Sequence, residues 1–327
     1  MIKILLTEER KKTLSDKHLE WFEKYITQKA TKTKNIILKK LGLNYDDLKS
    51  IITADKEDCL YYIKKCGEIS NKSENEKVYN FFGYGTWYNK KTKGWNAYKF
   101  IQELGVKICP YCNRNNIDYS EVGTQVSKSP FDHFYPKSVY PYLSCSLFNL
   151  VPCCHTCNSE KHETNPAGKK KIIYPYAEEF GENGKFKLAY NHQQELDEVM
   201  KDIREKIIKN FKLKLNSKGN LKKRISASNK IFCLNELYSQ ERDRVRDLLR
   251  KIDIYPEVLD RVNLLGPKNT LAFKGPMEKI FFALFFNLPE DGNKIYSYQK
   301  ITMDIIEQCK PKLKKFFPRR INIPGDN

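Results

Sequence analysis

Two C-x-x-C pairs constrain the fold of this chain more than any other feature of its sequence. The first pair is Cys109 and Cys112, and the second is Cys154 and Cys157. Two such pairs supply the four thiolates that tetrahedral zinc requires. The segment between the pairs is longer than in a simple zinc ribbon, so we expect a functional element to be folded between them.

A site closed by four cysteines has no open position for water, so its zinc is predicted to hold the local fold and not to catalyse hydrolysis. Cys153 precedes the second pair and lies one residue out of C-x-x-C register with Cys157. We therefore predict that Cys154 is the ligand and that Cys153 is only its neighbour. The scattered cysteines are predicted to be ordinary buried thiols; these are Cys59, Cys66, Cys145, Cys233 and Cys309.

The chain is strongly basic, with a formal net charge of +19 over 327 residues and a pI of about 9.3. Such a charge favours a polyanionic partner, either nucleic acid or an anionic membrane surface. The apolar run Ile2–Leu6 is short, contains a lysine and is followed by charged residues, so we expect neither a signal peptide nor a membrane span. We expect a cytoplasmic protein, in which the clustered thiols are reduced and available to a metal.

Helical spacing and capping residues predict a mostly helical N-terminal region. The predicted helices begin after Ser15-Asp16, near Asn35, at Asn44 and at Asp55, and the second and fourth end at Gly42 and Gly67. The polar stretch Ser70–Glu76 is predicted to be a surface loop. A further helix is predicted from Trp95 to Leu104, ending at Gly105.

Aromatic residues alternate with lysines between Tyr79 and Phe100. Two interpretations stay open: the rings pack the helices onto the metal-binding segment, or they stack on bases while the lysines contact phosphates. The basic stretch Met200–Arg224 is open in the same way, as a solvated helix face or as a phosphate-contacting surface, and the basic bias recurs from Lys310 to Arg320.

The C-terminal half is predicted to be helical apart from an extended segment or strand at Ile172–Tyr176. Loops are predicted at Gly181, Gly184 and Gly219. The apolar run Ile280–Phe286 is too short to span a bilayer and is either a buried helix or a docking surface for a partner chain. The predicted helices cover Gln194–Lys214, Leu234–Lys251 and Pro256–Leu265.

The segment between the cysteine pairs resembles the HNH endonuclease family. The resemblance is carried by Asp132-His133 at the end of a predicted strand, by Asn149 in a connecting loop, and by Asn158 at the start of a predicted helix. It implies an α+β fold, mostly α-helical, with a small zinc-stabilised ββα-metal module. The implied division is a helical region 1–104, the nuclease module 105–176 and a basic helical region 177–327.

The resemblance implies a metal-dependent phosphodiester hydrolase. In it His133 is the general base, Asp132 and Asn158 bind catalytic Mg²⁺ or Mn²⁺, and Asn149 orients His133. Lys161 resembles a lysine that often follows this motif and is expected to hold a phosphate oxygen. His162 is the alternative to Asn158 as the metal ligand, because it lies one helical turn further on; His155 is expected only to begin the helix.

Three sequence motifs resemble those of the HNH subunits of bacterial anti-phage systems of the Septu type, some of which accompany retrons. The motifs are Cys-Pro-Tyr-Cys, Phe-Asp-His-Phe-Tyr-Pro-Lys-Ser and Leu-Phe-Asn-Leu-Val-Pro. That resemblance implies an ATPase partner. DNA is the expected substrate, and RNA such as tRNA is the alternative. A different class of function is a non-catalytic, zinc-dependent scaffold that binds nucleic acid.

Overall fold

A computed structural model describes residues 1–89, 94–122, 125–168, 171–189, 198, 201–203, 205, 211–265 and 296–309. The chain divides into two compact units, Met1–Glu179 and Phe180–Asn327. The predicted stretches 1–104 and 105–176 both lie within the first unit. The described residues are mostly helical with small antiparallel sheets, consistent with the predicted α+β class.

The first unit begins with seven helices among its described residues. They are α1 (Glu8–Thr27), α2 (Thr31–Leu41), α3 (Tyr45–Ile52), α4 (Lys56–Cys66), α5 (Lys72–Phe82), α6 (Tyr84–Tyr88) and α7 (Ala97–Leu104). Asn44 and Asp55 cap α3 and α4 as predicted, because their side chains accept hydrogen bonds from backbone amides of the first turn. Gly42 and Gly67 follow the ends of α2 and α4, which confirms those predictions as well.

Two predictions in this region were wrong. The stretch Ser70–Glu76 is not a loop, because Asn71 accepts a hydrogen bond from the Glu74 amide and starts α5. Helix α1 begins well before Ser15, because Thr7 caps it and the acidic Glu8 and Glu9 lie in its first turn. In both cases a capping residue starts a helix within a polar stretch.

The central segment of the first unit, residues 105–176, contains four short strands and one helix among its described residues. They are β1 (Tyr119–Val122), β2 (Gln125–Lys128), β3 (Phe131–His133), β4 (Leu150–Pro152) and α8 (His155–Lys161), with 3-10 turns at Pro141–Leu143 and Leu147–Asn149. Strands β3 and β4 are antiparallel, with Asp132 opposite Val151 and His133 opposite Leu150. Asp132 and His133 therefore end a strand and Asn158 lies in the following helix, as predicted.

Aromatic side chains fasten the helices to β3. The ring of Phe131 lies 5.6 Å from that of Phe100 and 5.9 Å from that of Trp87, measured between centroids. All three side chains are buried. These contacts favour the packing interpretation of the aromatic stretch. They also fix the position of β3, the strand that contains Asp132 and His133.

The described part of the second unit contains a two-stranded antiparallel sheet. Its described elements are β5 (Gly184–Ala189), β6 (Lys212–Ser217), α9 (Lys222–Ile231), α10 (Leu234–Ser239), α11 (Arg242–Leu265) and α12 (Gln299–Gln308). Helix α12 covers the free edge of β5, since Asp304 accepts a hydrogen bond from the Phe186 amide and Gln308 accepts one from the Leu188 amide. Side chains thus satisfy the backbone of an edge strand.

Several predictions for the C-terminal half need correction. Lys212 begins β6, so the predicted helix Gln194–Lys214 does not extend to Lys214. Most of the rest of that predicted helix lies outside the described residues. Helix α11 starts at Arg242 and continues through Pro256. Ile172–Tyr176 forms no strand, which leaves the alternative of an extended segment, and its residues are buried apart from the half-buried Tyr176. Gly184 was predicted to lie in a loop but starts β5. The runs Ile280–Phe286 and Lys310–Arg320 lie outside the described residues.

Among the described residues, no helix combines the length and the apolar character that crossing a membrane would require.

Candidate functional site

The four predicted cysteines converge. Cys109, Cys112, Cys154 and Cys157 are all buried, and their sulfur atoms lie within 4.8 Å of one another. The Sγ atoms of Cys112 and Cys154 are 4.0 Å apart, far beyond the length of about 2.0 Å of a disulfide bond. Tetrahedral zinc with bonds of about 2.3 Å would hold its sulfurs about 3.8 Å apart. The cluster fits a structural metal such as zinc.

Local backbone geometry presents the two cysteine pairs to each other. In the first pair, the Cys109 amide donates to the Asn115 carbonyl, and Asn113 adopts a left-handed conformation with φ of 52°. Asn tolerates this region better than most residues, which allows the tight turn. In the second pair, Cys154 caps α8 and places Cys157 in its first helical turns, and Asn115 donates to the Cys154 sulfur over 3.4 Å.

Asp132 connects the metal cluster to the candidate active site. The Tyr111 hydroxyl, from within the first cysteine pair, donates to one carboxylate oxygen of Asp132 at 2.6 Å. The Lys161 ammonium donates to the other oxygen at 2.9 Å. Asp132 is 4% exposed, and buried carboxylates of this kind need such paired donors. The carboxylate thus ties β3 to the cysteine loop and to α8.

Lys161 is enclosed completely, with 0% exposure. Besides Asp132, its ammonium donates to the backbone carbonyl of His133 at 2.9 Å. A buried lysine is stable as a cation only when its charge is paired in this way. The expected contact between Lys161 and a phosphate would require the side chain to leave both partners.

His133 has one ring nitrogen fixed by the protein. Its Nε2 lies 2.9 Å from the Ser144 carbonyl oxygen. A carbonyl only accepts hydrogen bonds, so in the neutral ring Nε2 carries the proton and Nδ1 carries the lone pair. Among the described residues Nδ1 has no hydrogen-bond partner. The ring is therefore held in the tautomer that a base requires.

Burial keeps the imidazole of His133 neutral. Its desolvation, together with the nearby Lys137 charge, lowers the pKa of His133 from 6.5 to about 3. The edge of the Tyr84 ring system packs against it, with centroids 4.6 Å apart. Neither Ser144 nor Tyr84 was predicted from the sequence, because each reaches His133 from a distant part of the chain.

A second buried histidine, His18, differs from His133 because both of its ring nitrogens are hydrogen-bonded. His18 Nε2 bonds the Cys145 carbonyl at 2.8 Å, and the Trp95 indole donates to His18 Nδ1 at 3.1 Å. Burial lowers the pKa of His18 to about 4. Both of its nitrogens are occupied, so His18 is a core residue that joins α1 to the loop after β3, and it has no lone pair left for chemistry.

Asn149 braces the loop that carries Ser144. Its side-chain carbonyl accepts from the Tyr135 amide at 2.8 Å, and its amide donates to the carbonyls of Tyr135 and Leu143 at 3.1 and 2.9 Å. Leu143 immediately precedes Ser144, whose carbonyl bonds His133. Asn149 therefore fixes the loop from which the hydrogen bond to His133 is made.

Asn158 is half-buried on α8, with its Oδ1 3.8 Å from the Cys153 sulfur. His162 follows the end of α8, is exposed, and has φ of 42°. The exposed His155 begins α8, as expected.

Asp132 and Asn158 offer oxygen ligands for a hard cation. A carboxylate has about four lone-pair positions, so Asp132 keeps acceptor capacity beyond its bonds to Tyr111 and Lys161. Mg²⁺ usually takes one or two protein oxygens and completes its shell with water and substrate phosphates. The oxygens of Asp132 and Asn158 are thus of the type that Mg²⁺ or Mn²⁺ binds.

The central segment thus contains a buried cluster of four thiols and, beside it, a histidine base with an acid and two asparagines. The first can bind a structural metal, while the second has the groups that proton transfer requires. Comparisons of the chain with protein-family models, with curated proteins and with solved structures found no match.

Proposed function

We propose that this chain is a metal-dependent HNH endonuclease that hydrolyses phosphodiester bonds of nucleic acid, most readily DNA. The observation that carries the proposal is the hydrogen bond from His133 Nε2 to the Ser144 carbonyl. It leaves the lone pair of Nδ1 for a proton. The order of elements supports the same reading, since His133 ends the first strand of an antiparallel pair that is followed directly by α8.

In the proposed reaction a water molecule attacks phosphorus and loses a proton, while the P–O bond to the leaving oxygen breaks. The bonding electron pair stays on the leaving oxygen, which is then protonated by solvent. His133 accepts the proton of the attacking water at Nδ1, while the Ser144 carbonyl holds the opposite side of the ring and stabilises the imidazolium that forms. Asn149 maintains this geometry through the loop.

Asp132 and Asn158 are the residues that would hold Mg²⁺ or Mn²⁺. When bound, the cation supplies Lewis-acid stabilisation of charge on the scissile phosphate and the leaving oxygen. The chain contributes a carboxylate whose position is set by Tyr111 and Lys161. In this proposal the four cysteines hold structural zinc and keep Tyr111, and hence Asp132, in place.

The wider role follows from the sequence resemblance and from charge. We place the chain in the cytoplasm as the effector nuclease of an anti-phage system, with an ATPase as its partner. The net charge of +19 supports binding to nucleic acid. Co-expression with the product of the neighbouring gene should give a stable complex; a lone chain with full, unregulated activity would contradict the partner.

The test of the nuclease proposal is a cleavage assay with purified chain. Plasmid DNA, single-stranded DNA and total RNA are offered together, with Mg²⁺ or Mn²⁺ and with a chelator in a parallel reaction. We expect products from DNA that require the divalent cation. Cleavage of RNA alone would replace DNA as the substrate, and binding without any product would favour the non-catalytic scaffold.

A further inference from the structure

Lys137 lies close to His133 on the surface of the first unit. Its ammonium is 5.4 Å from the centroid of the Tyr84 ring and 5.2 Å from that of Tyr79. Tyr84 in turn packs on the His133 ring at 4.6 Å. The sequence Tyr135-Pro136-Lys137 places the lysine just beyond β3, so a cation and the candidate base contact the same tyrosine ring.

The backbone around Lys137 is fixed by α5. The Asn75 side-chain amide donates to the carbonyls of Lys137 and Ser138 at 3.2 and 2.8 Å. Tyr79 is on the same helix, one turn further along. Helix α5 therefore fixes the backbone at Lys137 and supplies Tyr79, one of the two rings that its ammonium contacts.

Lys137 is exposed, and its ammonium forms no salt bridge within the described part of the chain. Glu163 is the carboxylate whose charge acts on it, and that carboxylate accepts a hydrogen bond from Ser138. Cation–π contacts with two rings order the side chain without neutralising it. The ammonium thus retains its capacity to donate to an anion that arrives from solvent.

We propose that Lys137 binds a backbone phosphate of the nucleic-acid strand at His133, the role that the sequence had assigned to Lys161. The two lysines differ in what they already bind. Lys161 is enclosed and engaged by Asp132 and the His133 carbonyl, whereas Lys137 is exposed and rests on aromatic rings. This inference rests on the proposed function, because it assumes that the ligand at His133 is a nucleic acid.

The test uses the full chain with Lys137→Gln, Lys137→Arg and, as a matched control, Lys99→Gln. Lys99 is also exposed and rests on a tyrosine, with its ammonium 5.5 Å from the Tyr98 centroid. Binding to a DNA oligonucleotide, as single strand and as duplex, is measured by fluorescence anisotropy at several salt concentrations with a chelator present. Cleavage with Mg²⁺ or Mn²⁺ is measured separately.

Loss of one phosphate contact should reduce the slope of log K against log salt by about 0.7 for the single strand or about 0.9 for the duplex. We expect this reduction for Lys137→Gln, restoration of binding by Lys137→Arg, and an unchanged slope for Lys99→Gln. If Lys137→Gln reduced the salt slope but the wild type cut no nucleic acid, the result would support the phosphate contact and overturn the nuclease proposal.

Two results would overturn the role of Lys137. One is a wild-type chain that cuts nucleic acid while Lys137→Gln binds and cuts equally well, which would leave the nuclease proposal standing. The other is a wild-type chain that binds neither form of the oligonucleotide.

Discussion

Loss of the metal at the four cysteines should unfold the central segment of the first unit. Structural zinc contributes on the order of 10 kcal/mol to small metal-dependent modules, which is comparable with the total stability of about 5–15 kcal/mol of a typical domain. We expect Cys154→Ala to lose bound zinc and the cooperative thermal transition of the first unit. Zinc content by mass spectrometry and unfolding by circular dichroism measure the two effects.

Cys153→Ala is the matched control, because Cys153 is the buried neighbour of Cys154 but does not belong to the cluster. It should retain stoichiometric zinc and lose only about 1 kcal/mol, as an average substitution does. Loss of zinc from Cys153→Ala with retention in Cys154→Ala would contradict the assignment of the ligand.

Lys161→Met should destabilise the first unit by about 3–5 kcal/mol, because it leaves the Asp132 carboxylate buried without its counter-charge. The free energy of unfolding in denaturant measures the loss. Lys99→Met, at an exposed position, should change stability by less than about 0.5 kcal/mol and serves as the surface control.

The double variant Lys161→Met with Asp132→Asn separates charge from volume. An asparagine still accepts from the Tyr111 hydroxyl but needs no counter-ion, so most of the lost stability should return. The unpaired His133 carbonyl would keep a remaining cost of about 1–3 kcal/mol. If Lys161→Met instead left stability unchanged and weakened only the binding of nucleic acid, the phosphate role would belong to Lys161.

The parts of this fold that were predictable depend on residues close together in the sequence. The caps at Asn44 and Asp55 and the stops at Gly42 and Gly67 each act on the adjacent helical turn. The cysteine spacing is likewise local within each pair. By contrast, α5 was missed because its first turns are polar, although Asn71 followed by an acid three residues later is a capping signal.

The environment of the candidate site depended on contacts between distant segments. A lysine at the end of a short helix is usually exposed, and the burial of Lys161 depends on its two partners, the Asp132 carboxylate and the His133 carbonyl. The bond from His133 to Ser144 likewise depends on the path of the intervening loop, which Asn149 fixes. The residue types in the sequence indicated which side chains belong to the candidate site. Their hydrogen-bond and ion-pair partners could be identified only in the folded chain.

These contacts place the two lysines of the motif in different environments. Lys161 balances a buried charge beneath the site, and Lys137 presents an ammonium on its surface. Helix α5, which supports Lys137 through Asn75 and Tyr79, thereby becomes part of the proposed substrate surface. The helical region and the central segment together would form one nuclease site.

The most direct test of the nuclease assignment is the initial rate of divalent-dependent cleavage by wild type, His133→Ala and His155→Ala, each with verified fold and zinc content. His155 is the control because it is an exposed histidine on α8. Removal of a general base typically costs about 10²–10⁴-fold in rate. We predict a loss in that range for His133→Ala and an unchanged rate for His155→Ala; equal rates for wild type and His133→Ala would contradict the account.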